Sequence, residues 1–366
     1  GDAGAAGNGG SAGSGGSGST IPLTPVVWAK SAGSVVEDYV AMLAVDPAGH
    51  LLVGGRTGQT IDWGNGPLPP KGSFDVFLAQ LDPSNGSSLW SRRFGGAGME
   101  DALDVAADSQ GNAILAAHFI DTADFGGSPL VAIGTGGDTA VAKYDANGMH
   151  LWSKGVGPSR VNAQVATDAA GNVILVTSCS GTNDFGGGPL TGNPGDLCVA
   201  KFDPSGAHSW SKRFKPNNGS ASGTGLAVDT QGAIILCGTV MGAINFGGDQ
   251  IGGGASRAAL LVKLGPDGSH IWSKSFSSTS EMAFLSLALD AADKIIVAGF
   301  FMGTADVGGG PLTAAMHGPQ VPVPPYDNAG SYIYRRPCPS RRRLTAVAIR
   351  SADRPARTQS SPPPPP

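Results

Sequence analysis

Charge is scarce in this chain. Asp, Glu, Lys and Arg make up 14% of the residues, and the formal net charge is −4. Much of the basic charge collects at one end. Residues 317–366 hold eight Arg, two Asp and no Lys, a local +6 that leaves about −10 for the remainder. An acidic body argues against nucleic acid as a partner, since that needs a basic footprint. There are four cysteines, Cys179, Cys198, Cys237 and Cys338, at spacings that fit no zinc site. No apolar run reaches the length of a membrane span. No window carries apolar residues at helical spacing. Neither a Cys/His nucleophile pair nor a Gly-x-Ser-x-Gly elbow is visible, and the glycine clusters do not follow a strand-to-helix nucleotide fingerprint.

What the chain does have is a ruler. Trp28, Trp90, Trp152, Trp210 and Trp272 are separated by 62, 62, 58 and 62 residues. A fixed period of this length marks an array of supersecondary units that must stack to bury their apolar faces. Each period holds four short runs, here called strands A to D. In the second unit they are Asp101 to Asp108, Ala113 to Phe119, Thr139 to Asp145 and Met149 to Val156. Their length and the turn residues between them predict antiparallel strands. Strand A ends in a recurring Asp (Asp46, Asp108, Asp168, Asp229, Asp290), with Ala two residues earlier in every unit. That Asp predicts a tight turn capped by its own carboxylate. The small Ala predicts strands crowding near a common axis.

Four-stranded units of this size, arranged radially, are propeller blades. The expected fold is therefore all-β, a β-propeller of four-stranded antiparallel blades. Complete sets cover 37–94, 99–156, 161–214 and 222–276, and a fifth begins at Met282 and stops after Leu312. The count is about five blades, four complete and one incomplete. The orphan segment Val26–Lys30 is placed to serve as a strand D that closes the ring. Two accounts of the fifth blade stay open. Either Leu344–Arg350 supplies its strand C, or the array belongs to a larger propeller and the residues after Met316 are out of pattern. The expected domains are a Gly/Ser-rich linker at 1–20, a repeat domain at 21–315 and an Arg/Pro-rich tail at 316–366.

The C–D join, Asp145…Gly148…Trp152 and Asp203…Gly206…Trp210, resembles the tryptophan-docking motif of quinoprotein-type (PQQ-like) β-propellers. In that family the Trp packs against the next blade. The whole repeat, with DFGGGPL at Asp184–Leu190 and VAKFDPSG at Val199–Gly206, is similar to the seven-bladed β-propeller repeat proteins of bacterial surfaces. A Gly/Ser tether ahead of a β domain resembles the spacer of exported bacterial lipoproteins. These likenesses imply an exported, monomeric surface protein, lipid-anchored upstream of residue 1, whose partner is a protein or a glycan.

Several residues are candidates for function. The tryptophans are expected to pack between blades, the alternative being aromatic platforms for a sugar or quinone. A cation follows two residues after each (Lys30, Arg92, Lys154, Lys212, Lys274). It is expected to guard an outer strand edge, the alternative being a belt for anionic polysaccharide. His150, His208 and His270, two residues before Trp, are expected at the surface, too far apart to share a metal. Cys179 and Cys198 fall on adjacent strands B and C of one blade, which permits a disulfide or two small apolar residues. The leading site is the long B–C connection, with Asp62, Asp124, Asp184, Asn245 and Asp306. If B–C and D–A connections share one face, these side chains ring it. They would hold Ca²⁺, or else cap their own turns while the next aromatic plugs a gap. No other cofactor is expected. The functional expectation is a non-catalytic scaffold or binding module, with a glycan-binding propeller or a quinone-type enzyme as alternatives.

Overall fold

A computed structural model describes residues 28–33, 38–134, 136–159 and 162–314, together with the short strand 325–326. Among the described residues there is no helix, so none could cross a membrane. The chain folds into successive antiparallel sheets, mostly four-stranded, in a propeller-like arrangement. The first blade is β1 (Tyr39–Val45), β2 (Leu51–Thr57), β3 (Asp75–Leu81) and β4 (Ser88–Gly96). The second is β5 (Glu100–Ala107), β6 (Ala113–Phe119), the hairpin β7 (Thr122–Asp124) and β8 (Leu130–Val131), then β9 (Asp138–Tyr144) and β10 (His150–Pro158). The third is β11 (Gln164–Thr167), β12 (Val173–Asp184), β13 (Pro189–Phe202) and β14 (His208–Phe214). The fourth is β15 (Asn217–Val228), β16 (Ile234–Asn245), β17 (Gln250–Gly252), β18 (Ala258–Leu264) and β19 (His270–Phe276). The fifth holds β20 (Met282–Leu289), β21 (Ile295–Phe301), the hairpin β22 (Thr304–Asp306) and β23 (Pro311–Thr313), and β24 (Pro325–Tyr326).

Strand order within a blade follows the chain, as in β11-β12-β13-β14. The third strand is buried along its whole length in blades 1, 2 and 4. It lies between neighbouring sheets and has no solvent face. That is why the middle of each segment reads as an apolar run and not as alternation. The core is accordingly a series of interlayers. Leu78 and Phe94 of blade 1 pack with Leu115 and Tyr144 of blade 2. Val141 and Leu175 belong to one buried cluster across the next junction. Val199 and Leu236 share a buried cluster across the third, and Leu261 and Phe284 share one across the fourth.

In the fifth blade, β24 pairs with β21 through Ile295↔Tyr326 and Ile296↔Pro325. The place beside the second strand therefore goes to 325–326, within the stretch read from sequence as tail. The expected donor, Leu344–Arg350, lies outside the described residues. So does Val26-Val27; Trp28–Lys30 is described and is not a strand. Cys179 and Cys198 form a disulfide between β12 and β13, at a Cα–Cα distance of 5.8 Å. Cys237 is a buried free thiol.

Successive blades are joined by one repeated contact. Trp28 Nε1 donates to Pro83 O at 2.7 Å, Trp90 Nε1 to Ala146 O at 3.0 Å, Trp152 Nε1 to Pro204 O at 3.1 Å and Trp210 Nε1 to Pro266 O at 3.0 Å. Each acceptor lies in the C–D turn of the following blade. The indole lies flat on that turn's glycine. A Cβ on Gly148 would fall 2.7 Å from the Trp90 ring, and one on Gly206 would fall 2.7 Å from Trp152. Gly148 also holds φ at +73°, where a side chain is strained. So the turn demands glycine twice, for its own dihedral and for its neighbour's ring.

Trp90→Ala is expected to lower stability by about 3–5 kcal/mol through the void it leaves. Gly148→Ala should cost about 1–3 kcal/mol by overpacking. Urea unfolding of both and of the double variant checks the pair. The Gly148 penalty should shrink once the ring is gone.

Candidate functional site

The B–C connections do not stand on an open face. In blade 3 they are extensions of β12 and β13 paired down to Asp184↔Pro189. A straight β13 would span roughly 45 Å at the usual rise per residue. Yet a Cβ on Gly187, at the hairpin tip, would collide with the ring of His208, and His208 pairs with Phe202 at the far end of β13. The hairpin therefore doubles back. The bend falls where the register shifts between Cys179 and Gly181, with Gly181 at φ +79° and Gly195 at +96°. The expectation of a carboxylate ring around one open face is corrected on this point.

The doubled-back hairpin adds to the outer edge of the preceding blade. β7 pairs with β4 through Gly95↔Asp124 and Gly96↔Ala123. Asn183 Nδ2 donates to Val156 O at 3.2 Å and Pro158 O at 3.1 Å. The residue after each Asp or Asn fills the gap so made. Trp63, Phe125, Phe185, Phe246 and Val307 are all buried. Phe125 lies 6.3 Å from Phe94, and Phe246 lies 4.8 Å from Phe214, centroid to centroid.

The five candidates cap their own turns. Asp62 Oδ1 accepts from Gly64 N–H at 2.7 Å, Asp124 Oδ1 from Gly126 at 2.7 Å and Asp184 Oδ1 from Gly186 at 2.7 Å. Asn245 Oδ1 accepts from Gly247 at 2.5 Å and Asp306 Oδ1 from Gly308 at 2.8 Å. They sit one per blade and are not brought together. Among the described residues no three His, Cys, Asp or Glu side chains converge on a common point. The histidines roof these turns. His150 Nε2 meets Ser153 Oγ at 3.0 Å, and His208 and His270 meet Ser211 and Ser273 at 3.1 Å. They are half-buried, not free surface groups. Burial lowers the His150 pKa, against a smaller opposing pull from Asp124.

The strand-A aspartates cap turns as well. Asp108 Oδ1 takes N–H bonds from Gln110 and Asn112, both at 2.9 Å, and Asp290 Oδ1 from Ala292 and Lys294, both at 2.9 Å. Asp293 occupies the left-handed position that glycine fills elsewhere, at φ +59°. The other oxygen faces a lysine that the sequence reading missed. Lys143 Nζ lies 2.9 Å from Asp108 Oδ2, Lys201 Nζ 2.9 Å from Asp168 Oδ2 and Lys263 Nζ 2.8 Å from Asp229 Oδ2. Burial would raise the Asp108 carboxyl. Lys143 and the N–H donors outweigh it and hold the pKa below the usual carboxylate range. The ammonium also reaches the next blade, Lys143 Nζ to Gly171 O and Pro204 O at 3.4 Å and Lys201 Nζ to Pro266 O at 3.3 Å. Blade 1 differs, since Gln80 and His50 hold Asp46 Oδ2 at 2.8 and 2.9 Å.

The cations after each Trp were expected to guard an edge. Lys30 Nζ, Arg92 Nε and Lys212 Nζ instead donate to the turn glycine carbonyls Gly86 O at 2.9 Å, Gly148 O at 3.2 Å and Gly268 O at 2.7 Å.

Two carboxyl groups stand outside this repeat. Leu43, Asp104, Gln164, Thr224 and Ser286, one from each strand A, line a cavity of about 380 Å³. Asp104 Oδ2 accepts from Val165 N–H of the next blade at 2.9 Å. Burial pushes its pKa up to about 7. At the junction of blades 1 and 2, Glu100 and Asp75 are fully buried and both crowd Gly95. Arg93 Nη2 holds Asp75 Oδ2 at 2.6 Å, and Gly96 N–H donates to Glu100 Oε2 at 3.0 Å. Burial first, then the Asp75 charge, pushes the Glu100 pKa up to about 7, against the Gly96 bond.

No family model and no curated relative matches the chain. Solved structures with some likeness include a protein of unknown function from Bacteroides caccae, at 12% identity and TM-score 0.43, with 81% of each chain covered. Another, from Dyadobacter fermentans, is 10% identical at TM-score 0.42, covering 81% of this chain and 93% of that one. Quinohemoprotein alcohol dehydrogenase from Comamonas testosteroni is 11% identical at TM-score 0.37, covering 76% of this chain and 53% of that one. Likeness this distant carries no argument about activity.

Asp184→Ala is expected to cost about 1 kcal/mol, the worth of a lost turn bond, and a calcium titration of the parent chain should give no heat. Glu100 has a folded pKa above its unfolded one, so folding takes up a proton between about pH 4.5 and 7. Stability should therefore fall as pH rises through that window, by up to ~3 kcal/mol. Glu100→Gln should flatten that part of the profile in urea unfolding at pH 5, 6, 7 and 8.

Proposed function

We propose that this chain is a non-catalytic, exported β-propeller that acts as a binding scaffold. What carries the reading is where the recurring polar groups go. Four of the five ruler indoles use their N–H on the next blade, and the strand-A and hairpin aspartates accept N–H bonds from their own turns. Each indole so engaged has its N–H and the side over the turn glycine committed to the next blade, which leaves less of it to offer a sugar. Recognition therefore falls to positions where the repeat is broken. The ring in this reading has five blades. Trp28 supplies the indole that the last blade would owe to the first, and five A strands share one central cavity. The Cys179–Cys198 bridge favours an oxidising compartment, hence export. A protein or glycan at the cell surface is the partner class.

Thiol alkylation and mass spectrometry of protein recovered from its native host are expected to find Cys179 and Cys198 oxidised and Cys237 reduced. Reduced Cys179 and Cys198 would count against export. Turnover of alcohols after incubation with quinone and Ca²⁺ would move the chain to the enzyme class. Saturable binding on a glycan array would move it to the lectin class.

A further inference from the structure

One junction breaks the repeat. Gln80, Lys143, Lys201 and Lys263 occupy the same place in their blades, each paired across the C–D hairpin with the ruler tryptophan. Three are lysines and one is glutamine. Between blades 2 and 3 the Lys143 ammonium lies on Asp108 Oδ2 and faces Gly171 O and Pro204 O. Pro204 O also accepts the Trp152 indole N–H.

The junction between blades 1 and 2 keeps the carbonyl acceptors and loses the lysine, with Asp46 Oδ2 held instead by Gln80 Nε2 and His50 Nδ1. Ala146 O accepts the Trp90 indole N–H at 3.0 Å, as Pro204 O accepts that of Trp152. Gly111 stands where Gly171 stands. A Cβ on Gly111 would lie 3.8 Å from Asp46 Oδ2, and one on Gly171 would lie 3.7 Å from Asp108 Oδ2. Gln80 is one atom shorter than lysine and uncharged, and its amide stops at Asp46. A cleft of about 630 Å³ opens there, lined by Asp46, His50, Gln80, Trp90, Gly111 and Ala146 among others.

We propose that this cleft binds a primary ammonium on an unbranched alkyl chain, seated against Gly111 O and Ala146 O beside Asp46, where Lys143 Nζ sits one junction along. The protein carries its own reference ligand. An ammonium has three donors and a compact charge, and the neighbouring junction already satisfies one with this set of groups. The Trp90 ring and the exposed Leu89 give the alkyl stem an apolar wall. The inference deepens the binding-scaffold reading and rests on it. It names the ligand chemistry, which a free diamine or a lysine side chain on a partner could supply.

The test is calorimetry at low salt with 1,5-diaminopentane and with Nα-acetyl-lysine-N-methylamide, using 1,5-pentanediol as the neutral control. At least one amine should bind and the diol should not. Gln80→Lys should raise the melting temperature and weaken amine binding at least tenfold, because the chain now supplies the ammonium. A second readout needs no variant, since the Trp90 indole N–H resonance should shift on titration with the amine. Preference for the diamine would mark a free polyamine as ligand, and preference for the lysine derivative would mark a partner's lysine. Absence of binding by both amines, or undiminished binding in a folded Gln80→Lys variant, would overturn the assignment. If Gln80→Lys does not fold, an unmoved Trp90 signal overturns it. None of these results bears on export or on the glycan and quinone arms, so the scaffold reading fails or stands separately.

Discussion

The architecture depends on an indole lying on a glycine. Blades 1 to 3 each present a tryptophan from the outer strand, and the following blade presents a turn with no side chain at the point of contact. The ring supplies apolar area, and its single N–H finds the only kind of partner a turn can offer, a carbonyl. Neither half works alone. A β-carbon on the turn would push the ring away, and a ring without the N–H would forfeit its bond to the turn carbonyl. At three of these contacts the cation two residues later, Lys30, Arg92 or Lys212, closes over the same turn. Three separate requirements thus meet on four residues, which explains why the spacing varies so little from blade to blade.

Around this contact the polar groups form closed circuits. The strand-A aspartates Asp46, Asp108 and Asp229 are buried charges, and burial alone would make them costly. Each becomes tolerable because N–H groups hold one oxygen and, in blades 2 to 4, a lysine ammonium meets the other. The lysine then extends to the neighbour's turn carbonyls from Lys143 and Lys201. Such pairs tie a blade's own Asp to the turn of the next blade, and so bear on how the two are placed. An apolar filler of the same size would pack as well but would not choose between one register and the next. Where Gln80 replaces the lysine, placement relies on the indole and on the buried Arg93–Asp75–Glu100 group nearby.

Much of this was legible in the sequence. The tryptophan ruler, the Asp turns and the small Ala two residues earlier are local features repeated at fixed offsets, and periodicity exposes them. The four-stranded unit followed from run lengths and turn residues. The path of the B–C connection was not legible. Its direction depends on a bend at Gly181 and Gly195, and a glycine in a sequence does not say which way it turns. The histidines before each Trp looked solvent-exposed because the glycines they rest on are more than 20 residues distant in the chain. The Asp–Lys pairs were overlooked although VAKYD and VAKFD both display the lysine, since its partner lies on a strand two places away in the sheet. Gln80 was invisible for the opposite reason. One substitution in a repeat reads as noise until the geometry shows what the other copies do with the same position.

The junction is directional. At each junction from blade 1 to blade 4 one blade supplies the tryptophan and its neighbour the glycine turn, so these contacts run head to tail. A gene segment covering one whole period encodes both halves. Unequal crossing-over that duplicates or deletes such a segment therefore leaves every remaining junction chemically intact. A change in the number of periods would therefore need no new interface to be invented.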